Sequence, residues 1–415
     1  MAQGKNENLV ESVLGNKNVP VINEILNHPN EYRCQIIYVQ INRDEKNIPH
    51  FTYYYYRHLP KEYWNPASTV KLPLAALALQ KLNDINIPGV NKFTTIQYDS
   101  SYEKQTTAYN DSSSETGYPS IAHYIKRAFL ISENDPYNRL YQFINQQTIN
   151  RDLHKMGYED ARIIRQFVPG LTEEQNRHTN QVRFLDKNGK LIYTQPPAYN
   201  KDSFDFSQIV KLGNSYMTME DSIVNEPFDF TKHNRLSLQD LTDILRSIIF
   251  PESMPEEKRF RLTKDDYNFL RKYLSQYPSE TSYPKYDTAE FYDSYAKFFF
   301  RDSTHHSMPE NVRVFNKVGW AYGFLSDASY IMDAKNKIEF FLAATVYTNK
   351  DGVINDAKYD YEEIGHPFLY QIGQAMYEYE LQRKYKIRPD LSDLIIHYDR
   401  RNPTDKRPSI KEVDN

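Results

Sequence analysis

The chain has 415 residues, 40% of them hydrophobic, and a formal net charge of −4. That length allows two or three average domains or one large two-part domain, and the charge carries no basic footprint of the kind nucleic acid requires. A single cysteine, Cys34, excludes an internal disulfide, and no apolar run is long enough to cross a membrane as a helix.

Residues 8 to 29 carry a broken apolar stripe, Leu9, Val13, Leu14, Val19, Val21, Ile22 and Ile25, which predicts helix. Met1 to Gly15 is polar and lacks the basic-then-apolar layout of an export signal. The expectation is either a cytosolic chain or one whose leader has been replaced by a start Met. Two strands follow, Arg33 to Asn42 and His50 to Arg57, joined by a turn over 42–47. The run Tyr53–Tyr56 reads as a strand with one core face rather than a ligand platform. An apolar run, Leu72 to Leu82, then predicts a helix reaching about Asn83.

Residues 99 to 119 read as loop, Ser120 to Leu130 and Pro136 to Gln146 as helices, and Val182–Leu185 with Leu191–Tyr193 as a hairpin turning at Lys187-Asn188-Gly189-Lys190. Ser237 and Thr263 each precede a helix with an acid three positions on, the pattern of a capped N-terminus. Strands return at Val312–Lys317, Phe324–Ile331 and Ile338–Thr348, and a helix closes the chain from about Tyr361 to Lys384. After residue 386 there is one apolar patch, Leu391 to His397, and then a polar tail expected to be mobile. Strands at both ends with helices between predict an antiparallel sheet flanked by helices and an inserted helical domain. The expected division is a sheet part over 17–66 and 305–385, a helical part over 67–304 with the hairpin near 182–200 inserted, and a tail over 386–415.

Ser68-Thr69-Val70-Lys71 stands at the mouth of the Leu72–Leu82 run. Residues three apart on a helix share a face, so a Lys71 amine can reach a Ser68 hydroxyl. A lysine kept neutral by burial or a nearby cation can take the serine proton, and a helix N-terminus offers N–H groups to an oxyanion. S-x-x-K also occurs at Ser101–Lys104, Ser282–Lys285 and Ser294–Lys297, but none of these opens an apolar helix. Two more motifs follow in order, Ser132-Glu133-Asn134 and, on a strand, Lys317-Val318-Gly319.

This series resembles the S-x-x-K, S-D-N and K-T-G motifs of class A β-lactamases and penicillin-binding proteins, over roughly residues 20 to 385. The interval from Ser68 to Ser132 suits the class A arrangement. That from Ser132 to Lys317 is longer than the family needs, with the surplus near 182–200 and 275–310. The resemblance implies an α/β (α+β) β-lactamase/transpeptidase-like fold and acyl transfer through a covalent intermediate, without a cofactor or metal. It implies Ser68 as nucleophile, Lys71 as base or proton shuttle, and Ser132 as proton relay to the leaving group. Asn134 would bind a substrate amide and Lys317 would set the local potential. The backbone N–H groups of Ser68 and Trp320, beside Gly319, would form an oxyanion hole. The partner is then a small-molecule or peptide acyl substrate, and the expected location is extracytoplasmic, in a periplasm or cell envelope.

Class A enzymes also carry a glutamate, in an R-L-D-R-x-E-P run, that activates the deacylating water. The matching text here is Arg162-Ile163-Ile164-Arg165-Gln166-Phe167-Val168-Pro169, with Phe167 in the glutamate's place. Glu173 and Glu174 follow; they could substitute for that glutamate in deacylation only with a rebuilt loop, and they read first as solvated acids of a helix first turn. Val318 lacks the threonine hydroxyl, and Trp320 implies a narrower, more apolar site. His178 reads as a structural hydrogen-bonding residue, and His305-His306 as a surface loop pair rather than a metal fragment.

Overall fold

The computed structural model describes residues 8–302 and 307–413; the His305-His306 pair lies outside the described residues. The described residues form two compact units, one of residues 8–69, 205–246, 294–302 and 307–396, the other of residues 70–204, 247–293 and 397–413.

The first unit is built on a five-stranded sheet in the order Val312–Ala321, Phe324–Asp333, Ile338–Tyr347, Gln35–Arg43, Pro49–Tyr56. Every neighbouring pair is antiparallel, with Tyr38 opposite Leu342 and Tyr54, and Lys317 opposite Ala328. One face carries Ile36, Tyr38, Val314, Val318, Ile331, Phe340 and Leu342 into a core with Phe298–Phe300 and the helix His366–Gln382. That helix lies so close to Phe299 that a Cβ on Gly373 would stand 2.3 Å from the Phe299 carbonyl oxygen, which explains a glycine in mid-helix. The tyrosine run alternates as a half-buried strand should. Tyr54 and Tyr56 pack on the core, while Tyr53 and Tyr55 donate to Asp243 at 2.7 Å and Gln239 at 3.1 Å.

The second unit is mostly helical. Lys71–Ile85 is buried along nearly its whole length, as an all-round apolar helix must be. Ser120 caps Ile121–Leu130 by accepting from the His123 N–H, and Thr263 and Asp266 form a capping box on Lys264–Ser275. The hairpin Gln181–Leu185 and Leu191–Gln195 is joined by Thr95–Asp99, a strand the sequence reading did not isolate.

Three expectations change. The helix expected over 8–29 is two, Asn8–Gly15 and Pro20–Asn27, because Asn18 is left-handed (φ 50°) and Val19, ahead of Pro20, is extended. Residues 205–246, expected in the helical part, group with the sheet. The segment after residue 396 is not a loose tail: Ile410 forms a parallel bridge with Tyr286, and Arg401 donates to the Thr281 and Pro278 carbonyls. Among the described residues no helix is long and apolar enough to cross a membrane.

Candidate active site

In the first unit the chain turns sharply ahead of Ser68. The Asn65 side chain accepts from the Ala67 N–H at 2.9 Å, and Ala67 takes the left-handed conformation (φ 41°), unusual for a residue with a Cβ. A 3-10 turn, Ala67–Val70, then leads directly into Lys71–Ile85. Thr69 closes it, donating its N–H and hydroxyl to the Pro66 carbonyl at 2.9 and 2.6 Å. Ser68 stays partly exposed while Thr69 and Val70 are buried. The strand of the third motif lies against this turn. A Cβ on Gly319 would stand 2.6 Å from the Pro66 oxygen and 3.1 Å from Thr69 Cγ2, so only glycine allows the approach.

Lys317 shares the Gly319 face of its strand and is 1% exposed, with its amine donating to the Val318 carbonyl at 3.0 Å. Burial pushes the amine down to about 7, against the opposing pull of Asp327. Asp327 is itself raised to about 6 by burial, although it accepts from Asn316, Ser329 and the Phe298 N–H. Lys297, the lysine of one of the other S-x-x-K strings, donates to Asn316 Oδ1 at 2.7 Å within the same network.

Alternation sends Val318 and Trp320 to the other face. Val318 is fully buried in the core, and the Trp320 ring packs on Phe298 and Tyr295 at 5.7 and 6.1 Å between centroids. The inference of a narrower, more apolar site from the Trp320 side chain therefore falls; what Trp320 has to offer the Gly319 face is backbone.

In the second unit the Lys71 amine is buried among oxygens of the second motif. It donates to the Ser132 carbonyl, to Ser132 Oγ at 3.3 Å and to Asn134 Oδ1 at 2.8 Å. The three-residue link between Ile121–Leu130 and Asn134–Ile144 makes this possible, with Ser132 held left-handed at φ 71°. Such strain persists only where the surroundings over-determine it.

The loop over 162–169 brings Phe167 to the same amine, whose nitrogen lies 5.3 Å from the ring centroid. Tyr137 stacks on the Phe167 ring at 4.1 Å, and Asn138 clamps its backbone, accepting from the N–H at 2.7 Å and donating to the carbonyl at 3.3 Å. Gln166 is fixed by Gln142 and Asn176. The sequence reading missed Tyr137, Asn138 and Asn176; the one available signal was that Asn138 stands a helical turn after Asn134.

Glu173 and Glu174 are exposed in the first turn of a short helix, Glu173–Arg177, where Glu173 pairs with Arg177 at 3.2 Å. Glu174 meets His178 and Tyr199, both at 3.3 Å, and the His178 ring stacks on Tyr102.

The model of the β-lactamase enzyme family matches residues 21–264, more than half of the chain. The chain belongs to this family. The α+β arrangement of an antiparallel sheet unit and a helical unit is thus a β-lactamase fold, and the family places the chain among serine hydrolases of β-lactamase type. Among solved structures, similar ones include a β-lactamase from Burkholderia vietnamiensis (10% identity, 88% of this chain and 98% of that one, TM-score 0.48). Others are a β-lactamase from Xanthomonas campestris pv. campestris (12%, 86% and 96%, 0.47) and a class A β-lactamase from Clostridium kluyveri (13%, 86% and 98%, 0.44). None of the curated proteins compared with the chain matches it.

Proposed function

We propose that this family member is a serine hydrolase that forms an acyl-enzyme on Ser68 and releases it slowly. Ser68 and Lys71 stand three residues apart in the sequence, Ser68 in the 3-10 turn Ala67–Val70 and Lys71 at the first position of the helix Lys71–Ile85. Ser68 Oγ attacks the substrate carbonyl carbon and its proton passes to Lys71. The oxyanion is met by the N–H groups of Ser68 and Trp320, worth about 3–4 kcal/mol per donor in such sites. The bond from the carbonyl carbon to the leaving nitrogen (oxygen in an ester) breaks, and Ser132 relays the proton from Lys71 to that leaving atom while Asn134 holds the substrate amide. The substrate is a β-lactam or a related amide or ester, a peptidoglycan-type peptide included. By family resemblance the chain works outside the cytoplasm.

The observation that carries this reading is the environment of Lys71, which keeps Ser132 and Asn134 as partners and has a phenylalanine where a deacylating base belongs. A benzene ring takes no proton, so water attack on the ester lacks its usual help. The same observation favours a second reading, a penicillin-binding or catalytically impaired protein that acylates and turns over poorly.

Intact-protein mass spectrometry in time course with a penicillin tests both. The expected result is one adduct on the wild type, none on Ser68→Ala, and an adduct lifetime of hours. Rapid turnover with no accumulating adduct would favour an efficient hydrolase. No adduct on either protein would move the substrate away from β-lactams.

A further inference from the structure

We propose that Tyr286, held in place by the C-terminal segment at Ile410, is a positioning residue for Ser132 and Asn134, an inference that rests on the reading just given. Ser132 and Asn134 turn to Lys71, whereas Glu133 between them turns the other way and is 4% exposed. Both oxygens of its carboxylate are engaged. Arg127 donates Nε and Nη2 to Oε2 at 3.1 and 2.6 Å, and the Tyr286 hydroxyl donates to Oε1 at 2.5 Å. Arg127 is anchored in turn by Asp111 at 2.8 Å, and Asp111 by Ser113. A residue gripped on both oxygens fixes the backbone on either side of it, which is what a left-handed Ser132 needs.

Tyr286 is fully buried, and its own position depends on residues more than a hundred positions away. The Ile410 N–H donates to the Lys285 carbonyl and the Asp287 N–H to the Ile410 carbonyl, both at 2.8 Å. Lys285 donates to the Asp405 and Arg407 carbonyls at 2.7 and 2.6 Å, and Arg407 returns a bond to the Ser282 carbonyl at 2.8 Å. Residues 405–410 thus strap residues 282–287, and Tyr286 carries that constraint to Glu133.

The test uses the full chain as wild type, Tyr286→Phe, which removes one hydroxyl, and Ile410→Pro, which removes the bridging N–H. Acylation by a fluorescent penicillin is followed over a range of concentrations, and hydrogen exchange is read on the peptide spanning 131–135. The expected result is a limiting acylation rate at least fivefold lower in both variants, a half-saturating concentration changed less than twofold, and faster exchange over 131–135. A loss of simple packing would not split rate from saturation in this way. Folded variants that acylate at the wild-type rate would overturn the proposal. If the wild type itself forms no adduct, the function reading fails separately, and the exchange measurement still decides: unchanged exchange over 131–135 in both variants overturns the positioning role.

Discussion

Two segments of the helical unit meet the Lys71 amine, and their chemistry is opposite. The turn at Ser132–Asn134 offers a carbonyl, a hydroxyl and an amide oxygen; the loop at Phe167 offers the face of a ring. Both are held tightly, the turn through Glu133 and the loop through Asn138 and Tyr137. The contrast is therefore not between an ordered site and a decayed one. The proton-handling groups proposed for acylation are intact, and the position expected to support deacylation is filled by a well-packed side chain without a basic atom. Under the proposed function, acylation and release become separable properties of one scaffold.

The sharpest way to break that contrast is Phe167→Glu. A positioned base contributes about 10²–10⁴-fold in favourable cases. Here the loop is shaped around a ring stacked on Tyr137, so the expected gain in adduct decay is at or below the bottom of that range, about tenfold to a hundredfold, with acylation changed little. Decay of the penicilloyl adduct by mass spectrometry checks it. A lifetime equal to wild type would mean that the ring is not what protects the ester.

Gly319→Ala probes the sheet side. Its Cβ would meet the Pro66 oxygen at 2.6 Å, and backbone cannot step aside as a flexible side chain can. Overpacking of this kind costs about 1–3 kcal/mol, read as a lower denaturation midpoint, and displaces the Ser68 turn, so acylation should fall with it. Unchanged stability would show that the turn at Pro66 relaxes freely.

Lys317 gives a pH test of smaller amplitude. Burial holds its amine down to about 7, so the cation is lost as pH rises through that value. If the cation supports acylation, the rate should decline by about tenfold or less above pH 7, the span expected for losing one charge-dependent contribution near 1.4 kcal/mol. Asp327 pulls the amine upward, so Asp327→Asn should move the inflection to lower pH. An inflection that stays in place in Asp327→Asn assigns the decline to another group.

How much of this was legible in the sequence depends on whether the signal was local. The five sheet strands show because alternation and β-branched or aromatic residues are local, and the capped helices show because their caps sit three residues from their partners. Ser68, Lys71, Ser132, Asn134 and Lys317 were legible as residue types in order. The Phe167 surroundings were not, since Asn138 reaches across 29 positions and nothing in the local text marks the pairing. The C-terminal segment read as mobile because its composition is polar, yet several of its bonds run to or from backbone carbonyls, which composition cannot reveal. The facing of Val318 and Trp320 was lost for a third reason: strand register decides it, and a shift of one residue reverses every side chain.

Val318→Thr tests that last point and has the smallest expected effect. Restoring the family's threonine in sequence would place a hydroxyl on the core face beneath the sheet, where Val318 is fully buried with Val314 and Phe298 in the same apolar cluster. An unpaired buried hydroxyl costs about 1–3 kcal/mol, and a near-isosteric swap that finds a backbone acceptor falls at the bottom of that range. The denaturation midpoint should therefore drop modestly while the acylation rate stays within twofold of wild type. A clear rise in acylation would mean that the hydroxyl reaches the Gly319 face after all, and that the strand bearing Lys317 sits in a different register when substrate is bound.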